Sequence, residues 1–211
     1  MIDRALDVAD HEGLAAVSIR RIAQDFDVTP MALYWHVKNK DELLAAMGDR
    51  VIDAIDVPAL PSAGGLERLR PLLQRLVGML ARHPGSTELV QYRILQCQRG
   101  QLLAEQALTV LAEAGFDQQR RAELARAALQ SAVMLVVGAP GAEISVPEPD
   151  RQALRESKRA ALAALPADRF PQLVLCAGAM FECDDPEAYY ADGIELFLAG
   201  VATLAGRLPM N

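Results

Sequence analysis

Apolar side chains recur every three or four residues along most of this chain, which is the period of an α-helix that buries one face. The abundance of Ala and Leu also favours helices over sheets. We therefore expect an all-α protein. The periodicity predicts helices at about 2–12, 41–55, 66–82, 86–100, 101–114, 118–138, 150–165 and 186–206, with shorter ones after Ser18, after Thr29 and within 170–181.

Two short helices near the N-terminus are joined by a brief turn at Asp27-Val28. Ser18 is a typical capping residue at the start of the first helix. Thr29 and Pro30 begin the second, because the threonine hydroxyl can cap free backbone N–H groups and proline fits the first helical position. This arrangement indicates a helix-turn-helix motif, whose second helix enters the major groove of DNA.

The helical pattern breaks at residues 56–65, which contain two prolines and two adjacent glycines. We therefore predict a three-helix DNA-binding domain at residues 1–55, a linker at 56–65 and a second helical domain at 66–211. Because the linker cannot form one continuous helix, a signal between the domains must pass through side-chain packing. We expect this packing to involve chiefly the helix that begins near Leu66.

The segment Leu33-Tyr34-Trp35-His36-Val37-Lys38-Asn39-Lys40 resembles the recognition-helix segment of the tetracycline-repressor (TetR) family. Residues 18–24 are similar to the helix that precedes it in that family. The resemblance is dense over about residues 2–55, where aromatic, basic and capping residues fall in register, and is only architectural beyond residue 65. It implies that the second domain senses a ligand and pairs with a second subunit through its last two long helices, here about 118–138 and 186–206.

Candidate DNA contacts follow from this resemblance and from side-chain chemistry. Arg20 lies where the family often places a polar contact, and arginine can pair bidentately with guanine. The recognition helix begins with an apolar tip, which can touch thymine methyl groups, and phosphate donors follow it. Leu33 is its core residue, and Trp35 fits partly buried support better than a DNA contact. The predicted DNA-binding residues are Arg20, Thr29, Pro30, Met31, Ala32, Tyr34, His36 and Lys40.

Charge limits the strength of this interface. The net charge is −7, and the first 55 residues hold six Lys and Arg against ten Asp and Glu. Residues 18–40 alone carry four Lys and Arg against two Asp, and the local face decides phosphate contact. The sequence thus predicts a small basic patch. The acidic first domain leaves open an alternative, a helical dimeric interaction or small-molecule-binding module with weak or no DNA binding.

Two late helices are candidates for a subunit interface. Residues 132–137 are apolar on all sides, and such a segment must be buried on all sides, which in a small protein often involves another subunit. Gly193 and Gly200 lie seven residues apart on one face of the last helix, where small residues allow close helix approach. We expect a homodimer, with an ordinary monomeric core as the alternative.

Candidate effector contacts combine adaptable or polar side-chain tips with positions expected to be buried. Tetracycline repressors bind their drug as a magnesium complex through a sensor-domain histidine. This chain has three histidines, of which only His83 lies beyond the first domain, and the drug-contacting pattern is not recognisable. We therefore expect no metal, no cofactor and a small, largely apolar effector. The predicted ligand-binding residues are Met79, His83, Tyr92, Gln96, Phe116 and Met134.

Other classes of protein find little support in the sequence. There is no nucleophile elbow, no glycine-rich phosphate loop and no His, Cys and acid cluster at ligand spacing, so no enzyme and no catalytic residues are predicted. The three cysteines show neither a disulfide framework nor zinc spacing. No signal peptide and no apolar run of roughly 18 residues is present, so we expect a cytoplasmic protein without a membrane partner.

These features predict a ligand-responsive regulator of transcription. The dimer would bind double-stranded operator DNA of palindromic sequence, because paired half-sites match two-fold symmetry. We expect a repressor that a small-molecule effector releases. The sequence does not name the effector or the operator.

Overall fold

The computed structural model describes residues 1–142, 146 and 148–208, and this part of the chain is helical without any strand. The all-α prediction is confirmed. The N-terminal helices are α1 (Ile2–Glu12), α2 (Ile19–Asp25), α3 (Pro30–Leu33) and α4 (Lys40–Asp53). They are followed by α5 (Leu69–Arg82), α6 (Thr87–Arg93), α7 (Gln98–Glu113), α8 (Gln118–Val137), α9 (Glu148–Ala163), α10 (Pro171–Leu175) and α11 (Pro186–Ala205).

Helix boundaries differ from the sequence pattern where a short 3₁₀ turn replaces α-helix. Residues 65–68 and 94–96 form such turns, so α5 begins later and α6 ends earlier than the pattern predicts. The apolar period continues through both turns, which is why periodicity alone does not detect them. The predicted helices at 118–138 and 150–165 leave residues 139–149 as a loop; this segment lies partly outside the described residues, and α9 already begins within it.

Helix caps confirm one prediction and correct another. The Ser18 hydroxyl accepts a hydrogen bond of 3.1 Å from the backbone N–H of Arg21, as expected for a cap. The predicted Thr29 cap is wrong, because its side chain forms no capping hydrogen bond. The backbone N–H of Ala32 instead donates to the backbone carbonyl of Thr29 at 3.0 Å, which leaves that N–H no need for the hydroxyl.

The core is continuous from the first helix to the last. Buried apolar side chains form one cluster that extends from Ala5 in α1 to Val201 in α11. The helix-free segment at 55–64 is fastened to α7, where Arg99 donates to the backbone carbonyl of Ile55 at 2.8 Å. Within the described residues, none of the helices combines the length and the apolar character needed to cross a membrane.

The first turn of α7 lies against the preceding backbone. A Cβ atom added at Gly100 would lie 1.9 Å from the carbonyl oxygen of Ile94, so only glycine fits there without movement of the main chain. Gly78 in α5 offers a contrast, because an added Cβ would have no neighbour within 4 Å. Both glycines are helical, so they differ chiefly in the space around them.

We expect Gly100→Ala to lower the free energy of unfolding by about 1–3 kcal/mol, because the methyl group must displace backbone. Gly78→Ala should raise it by about 0.5–1 kcal/mol, since alanine is the better helix former and the site is open. Denaturant titration of both variants measures the two effects. Equal stability of the two variants would contradict the assigned packing of Gly100.

Candidate DNA interface and effector cavity

Helices α2 and α3 form a compact helix-turn-helix. The turn between them uses a left-handed residue, Asp27, with a φ of 52°. The backbone N–H of Val28 then donates to the carbonyl of Ala23 at 3.0 Å, which fixes the direction of the chain into α3. Leu33 and Val37 are buried beneath the second helix, so the opposite side of the segment faces solvent.

All eight predicted DNA-binding residues are exposed on this motif. Exposure leaves these side chains accessible to a partner outside the protein. The neighbouring arginines 20 and 21 differ in whether they have partners within the protein. Arg21 is used internally, in ion pairs with Asp25 and, at 2.8 Å, with Glu12. Arg20 forms no hydrogen bond or ion pair within the described residues, so its guanidinium is available to an external partner.

The interpretation of Trp35 as partly buried support is wrong. Its side chain is 88% exposed, the largest such value among the exposed large apolar residues of the described chain. The cause is the shortness of α3, which has a single buried position at Leu33 and then turns, so that residue 35 points away from the core. Trp35 therefore joins the candidate DNA interface.

The turn after α3 is fixed by a reciprocal cap at the start of α4. The side chain of Asn39 accepts from the backbone N–H of Glu42 at 2.8 Å, and the Glu42 carboxylate accepts from the backbone N–H of Lys38 at 2.6 Å. This is the geometry of a capping box. It fixes the backbone between His36 and Lys40, where the predicted phosphate donors lie.

An apolar cavity of about 480 Å³ lies among α5, α6, α7, α8 and α11. This volume is within the range typical of small-molecule sites. Its wall is mostly leucine and alanine, with few polar groups. The lining residues are Leu69, Leu72, Leu73, Leu76, Gln91, Tyr92, Ile94, Leu95, Leu103, Ala104, Ala107, Leu108, Leu111, Ala122, Leu124, Ala125, Arg126, Ala128, Leu129, Gln130, Phe197 and Val201.

The cavity exists because small residues face each other across two helices. Ala104 and Ala107 are one turn apart on α7, and Ala122, Ala125 and Ala128 are spaced by three on α8. Side chains three residues apart share a helix face. Alanine methyl groups cannot span the distance between helix axes, so the space between these faces remains open. This alanine spacing is the sequence signal that could have located the cavity.

Of the six predicted ligand-binding residues, Tyr92 alone belongs to the cavity lining. Met79 and Phe116 are buried in the core away from it. The expectation of buried positions is wrong for Tyr92, Gln96 and Met134, which are exposed. Adaptable and polar side-chain tips were expected to form the site, whereas most of the wall consists of leucines and alanines, which carry no distinctive chemical signal.

His83 has a structural role between the two halves of the chain. Its Nδ1 lies 3.0 Å from Oδ2 of Asp10 in α1, and the backbone N–H of Gly85 donates to Oδ1 of the same carboxylate at 2.9 Å. A Cβ at Gly85 would lie 2.1 Å from the Ala9 carbonyl oxygen, so the turn sits directly against α1. Within the described part of the chain, no group of three or more His, Cys, Asp and Glu residues is arranged to hold a metal ion.

A second contact joins α4 to α6. Arg93 donates from Nε and from a terminal nitrogen to the two carboxylate oxygens of Asp49, at 2.8 and 2.7 Å. The Cys97 thiol donates to the same carboxylate at 3.0 Å. Hydrogen bonding to Arg93 lowers the pKa of Asp49, and burial followed by the bond to Asp49 raises the pKa of Cys97 to about 11. The carboxylate and the thiol are therefore ionised and neutral, respectively, at neutral pH.

This junction corrects the expected route between the domains. We expected the helix that begins near Leu66 to make the principal contact with the first domain. Instead α6 packs most extensively on α4, and α5 contributes little to that contact. Close approach is possible because Gly48 lacks a side chain: an added Cβ would lie 3.0 Å from Cγ of Arg93. Arg93 thus crosses the surface of α4 directly beside Asp49.

Comparison with known sequences agrees with this geometry. Residues 1–47 match the family model described as "Bacterial regulatory proteins, tetR family", and residues 57–205 match "Tetracyclin repressor-like, C-terminal domain". The second match alone covers more than half of the chain. The chain belongs to the TetR family.

Two curated relatives match this chain over different shares of their own length. A protein of Saccharopolyspora erythraea named "HTH-type transcriptional regulator" is 28% identical over 208 residues, which cover 98% of this chain and 84% of the relative. "HTH-type transcriptional repressor DrrR1" of Streptomyces coeruleorubidus is 29% identical over 157 residues, covering 72% of this chain and 55% of that protein. These relatives are transcriptional regulators, a non-enzymatic class.

A solved structure extends the TetR-family likeness to the whole fold. The TetR-family protein ActR of Streptomyces coelicolor, in complex with actinorhodin, is 25% identical with a TM-score of 0.69. The alignment covers 98% of this chain and 99% of ActR. The likeness therefore includes both the helix-turn-helix and the helices that enclose the cavity.

We expect Arg20→Ala to weaken operator binding by about 1–3 kcal/mol and to relax preference at one base pair of each half-site, because a bidentate base contact is lost. Lys40→Ala is the matched control for a phosphate contact. It should weaken binding to all sequences about equally and reduce the dependence on salt. Fluorescence anisotropy with operator and scrambled duplexes measures both. An equal loss on both duplexes for Arg20→Ala would show that Arg20 does not read a base.

Proposed function

We propose that this protein is a TetR-family repressor that binds a palindromic operator as a homodimer and is released by a small, largely apolar effector. Its target is operator DNA, so its place of action is the cytoplasm. One observation carries the proposal: α6 lines the cavity and is also paired with α4, which follows the helix-turn-helix directly. Occupation of the cavity and the position of the DNA-binding helices thus depend on the same element.

Homodimerisation is supported by apolar side chains that one subunit leaves uncovered. Met134 on α8 is 62% exposed and Leu196 on α11 is 77% exposed. Gly200 on α11 is open, since a Cβ added there would have no neighbour within 4 Å, whereas Gly193 already packs on Leu135 of the same chain. Pairing of α8 and α11 with the same helices of a second subunit would cover these positions.

The chemistry of the cavity supports an apolar effector. Its wall is dominated by leucine and alanine, and the rings of Tyr92 and Phe197 can pack against a flat ligand. ActR, whose fold this chain shares, is solved with actinorhodin, and DrrR1 is named a repressor. These likenesses support a ligand-released repressor rather than a helical module without DNA binding, and they support a function outside catalysis.

Coupling between effector and operator follows from the position of Arg93. It lies between Tyr92 and Ile94, which both line the cavity, while its own side chain holds Asp49 of α4. An effector that displaces this segment therefore also displaces α4 and the helix-turn-helix. An effector changes operator affinity only by its different affinity for the two arrangements. Coupling of about 1–3 kcal/mol would change operator affinity some 5- to 150-fold.

The proposed function is tested with an operator selected from random duplexes and an effector found by thermal stabilisation. We expect light scattering to give the mass of two chains alone and on DNA, because two-fold pairing places two recognition helices on paired half-sites. Addition of the effector should release the duplex. A monomer at micromolar concentration that gains no mass on DNA would refute dimeric operator binding. A stabilising compound that leaves operator affinity unchanged would refute release by that compound.

The proposed coupling is tested with Arg93→Met, which keeps the aliphatic stem beside Gly48 but removes the charge that holds Asp49. We expect this variant to bind the effector, while the ratio of operator affinities without and with effector falls towards one. Arg50→Met is the matched control, because Arg50 in α4 pairs with Asp3 in α1 at 2.8 Å and not with α6. Titration of operator at saturating effector gives the ratio for each. An unchanged ratio in Arg93→Met would exclude this pair as the coupling element.

A further inference from the structure

The charge of the cavity lining is asymmetric. Arg126 on α8 is the one cationic residue in the lining, and the lining contains no carboxylate among the residues that the structure describes. Gln91, Tyr92 and Gln130 supply the remaining polar side chains. A ligand in this cavity therefore meets apolar surface together with a single positive charge.

Arg126 has no partner of its own in the described part of the chain. The acidic residue one turn before it, Glu123, is already engaged. One carboxylate oxygen accepts from Gln119 at 3.0 Å and the other accepts from Arg120 at 2.9 Å. These bonds lower the pKa of Glu123, so it is ionised and already bonded to two donors one turn nearer the start of the helix. The guanidinium of Arg126 is therefore free to bind an external anion.

The surrounding charge makes this position distinctive. The protein carries a net charge of −7 and as a whole repels anions. Arginine binds a carboxylate or sulfonate through two parallel N–H donors, which fixes orientation as well as charge. Arg126 is exposed rather than buried, so water and salt reduce the strength of such a contact without removing its selectivity.

We propose that the effector is an amphiphilic anion, with an apolar body in the cavity and an ionised acidic group held by Arg126. This inference rests on the proposed function of the cavity as the effector site and specifies the ligand class. The acidic group is one that is charged at neutral pH, such as a carboxylate or a sulfonate. The apolar body accounts for the leucine and alanine wall, and the single acidic group accounts for the one cationic residue of the lining.

Two fluorescent compounds that differ only in charge test the proposal. The anion is 8-anilinonaphthalene-1-sulfonate, and the neutral parent is N-phenyl-1-naphthylamine, which lacks the sulfonate. Both report transfer into apolar surroundings, so full-length protein can be titrated with each. The variant is Arg126→Met. The control is Arg75→Met, the same substitution at an arginine of α5 that pairs with Asp56 at 3.6 Å and lies outside the cavity lining.

We expect Arg126→Met to weaken binding of the sulfonate about tenfold, equivalent to about 1.4 kcal/mol. Its affinity for the neutral compound should stay unchanged, which also shows that the variant is folded. Arg75→Met should bind both compounds as the wild type does. If Arg126→Met keeps the wild-type affinity for both compounds, the anion inference is wrong while the cavity remains a ligand site.

A second substitution separates this failure from failure of the proposed function. Ala125→Phe fills the cavity from α8, so it should weaken binding of both compounds. If neither compound binds the wild type, or if Ala125→Phe leaves both affinities intact, the cavity is not the binding site and both proposals fail. If Arg126→Met instead raises the dimer dissociation constant and leaves the sulfonate affinity unchanged, Arg126 pairs with the second subunit and the inference is overturned.

Discussion

The bidentate contact between Arg93 and Asp49 is the interaction on which the arrangement of the two halves depends. Arg93 reaches from α6 to α4 with two charge-assisted hydrogen bonds, and the neighbouring Cys97 thiol donates a third to the same carboxylate. Gly48 allows the approach by leaving space for the arginine stem. A displacement of α6 at this contact therefore also displaces α4, and the reverse holds as well.

A second contact between the two halves of the chain, at the end of α1, restricts how the first domain can move. The carboxylate of Asp10, near the end of α1, accepts a hydrogen bond from the backbone N–H of Gly85 and lies within hydrogen-bonding distance of the His83 ring. The first domain is thus attached to the rest of the chain through α1 as well as through α4. If α4 moves while the end of α1 stays fixed, the displacement is a rotation of the domain rather than a translation. In the proposed homodimer, such a rotation in each subunit would change the separation of the two recognition helices.

Sequence reasoning succeeded where local chemistry determines structure. The capping serine at position 18, the break before α5 and the long apolar period of α8 and α11 are local properties, and each is present in the fold. The exposed positions of the DNA motif follow from the same pattern. The exception is Trp35, whose orientation depends on the length of α3, a quantity that side-chain period does not fix over a single turn.

The cavity was missed in the sequence for a different reason. A void is a property of several helices at once, and no residue in its wall looks unusual alone. The leucines of α5 and α7 have the same sequence signature whether they face a void or a filled core. Tyr92 was found because its chemistry is distinctive, and Arg126 was missed because a lone arginine on a long helix usually faces solvent. Only the packing shows which face of α8 opens into the cavity.

The Cys97 thiol gives the interdomain contact a particular redox character. Burial and the hydrogen bond to Asp49 hold its pKa near 11, so almost none of it is thiolate at neutral pH. Oxidants and alkylating agents attack the thiolate rather than the thiol. Cys176, by contrast, is exposed to solvent. Mild oxidation therefore modifies the exposed Cys176 before the buried Cys97, and the hydrogen bonds between α4 and the α6 region remain in place.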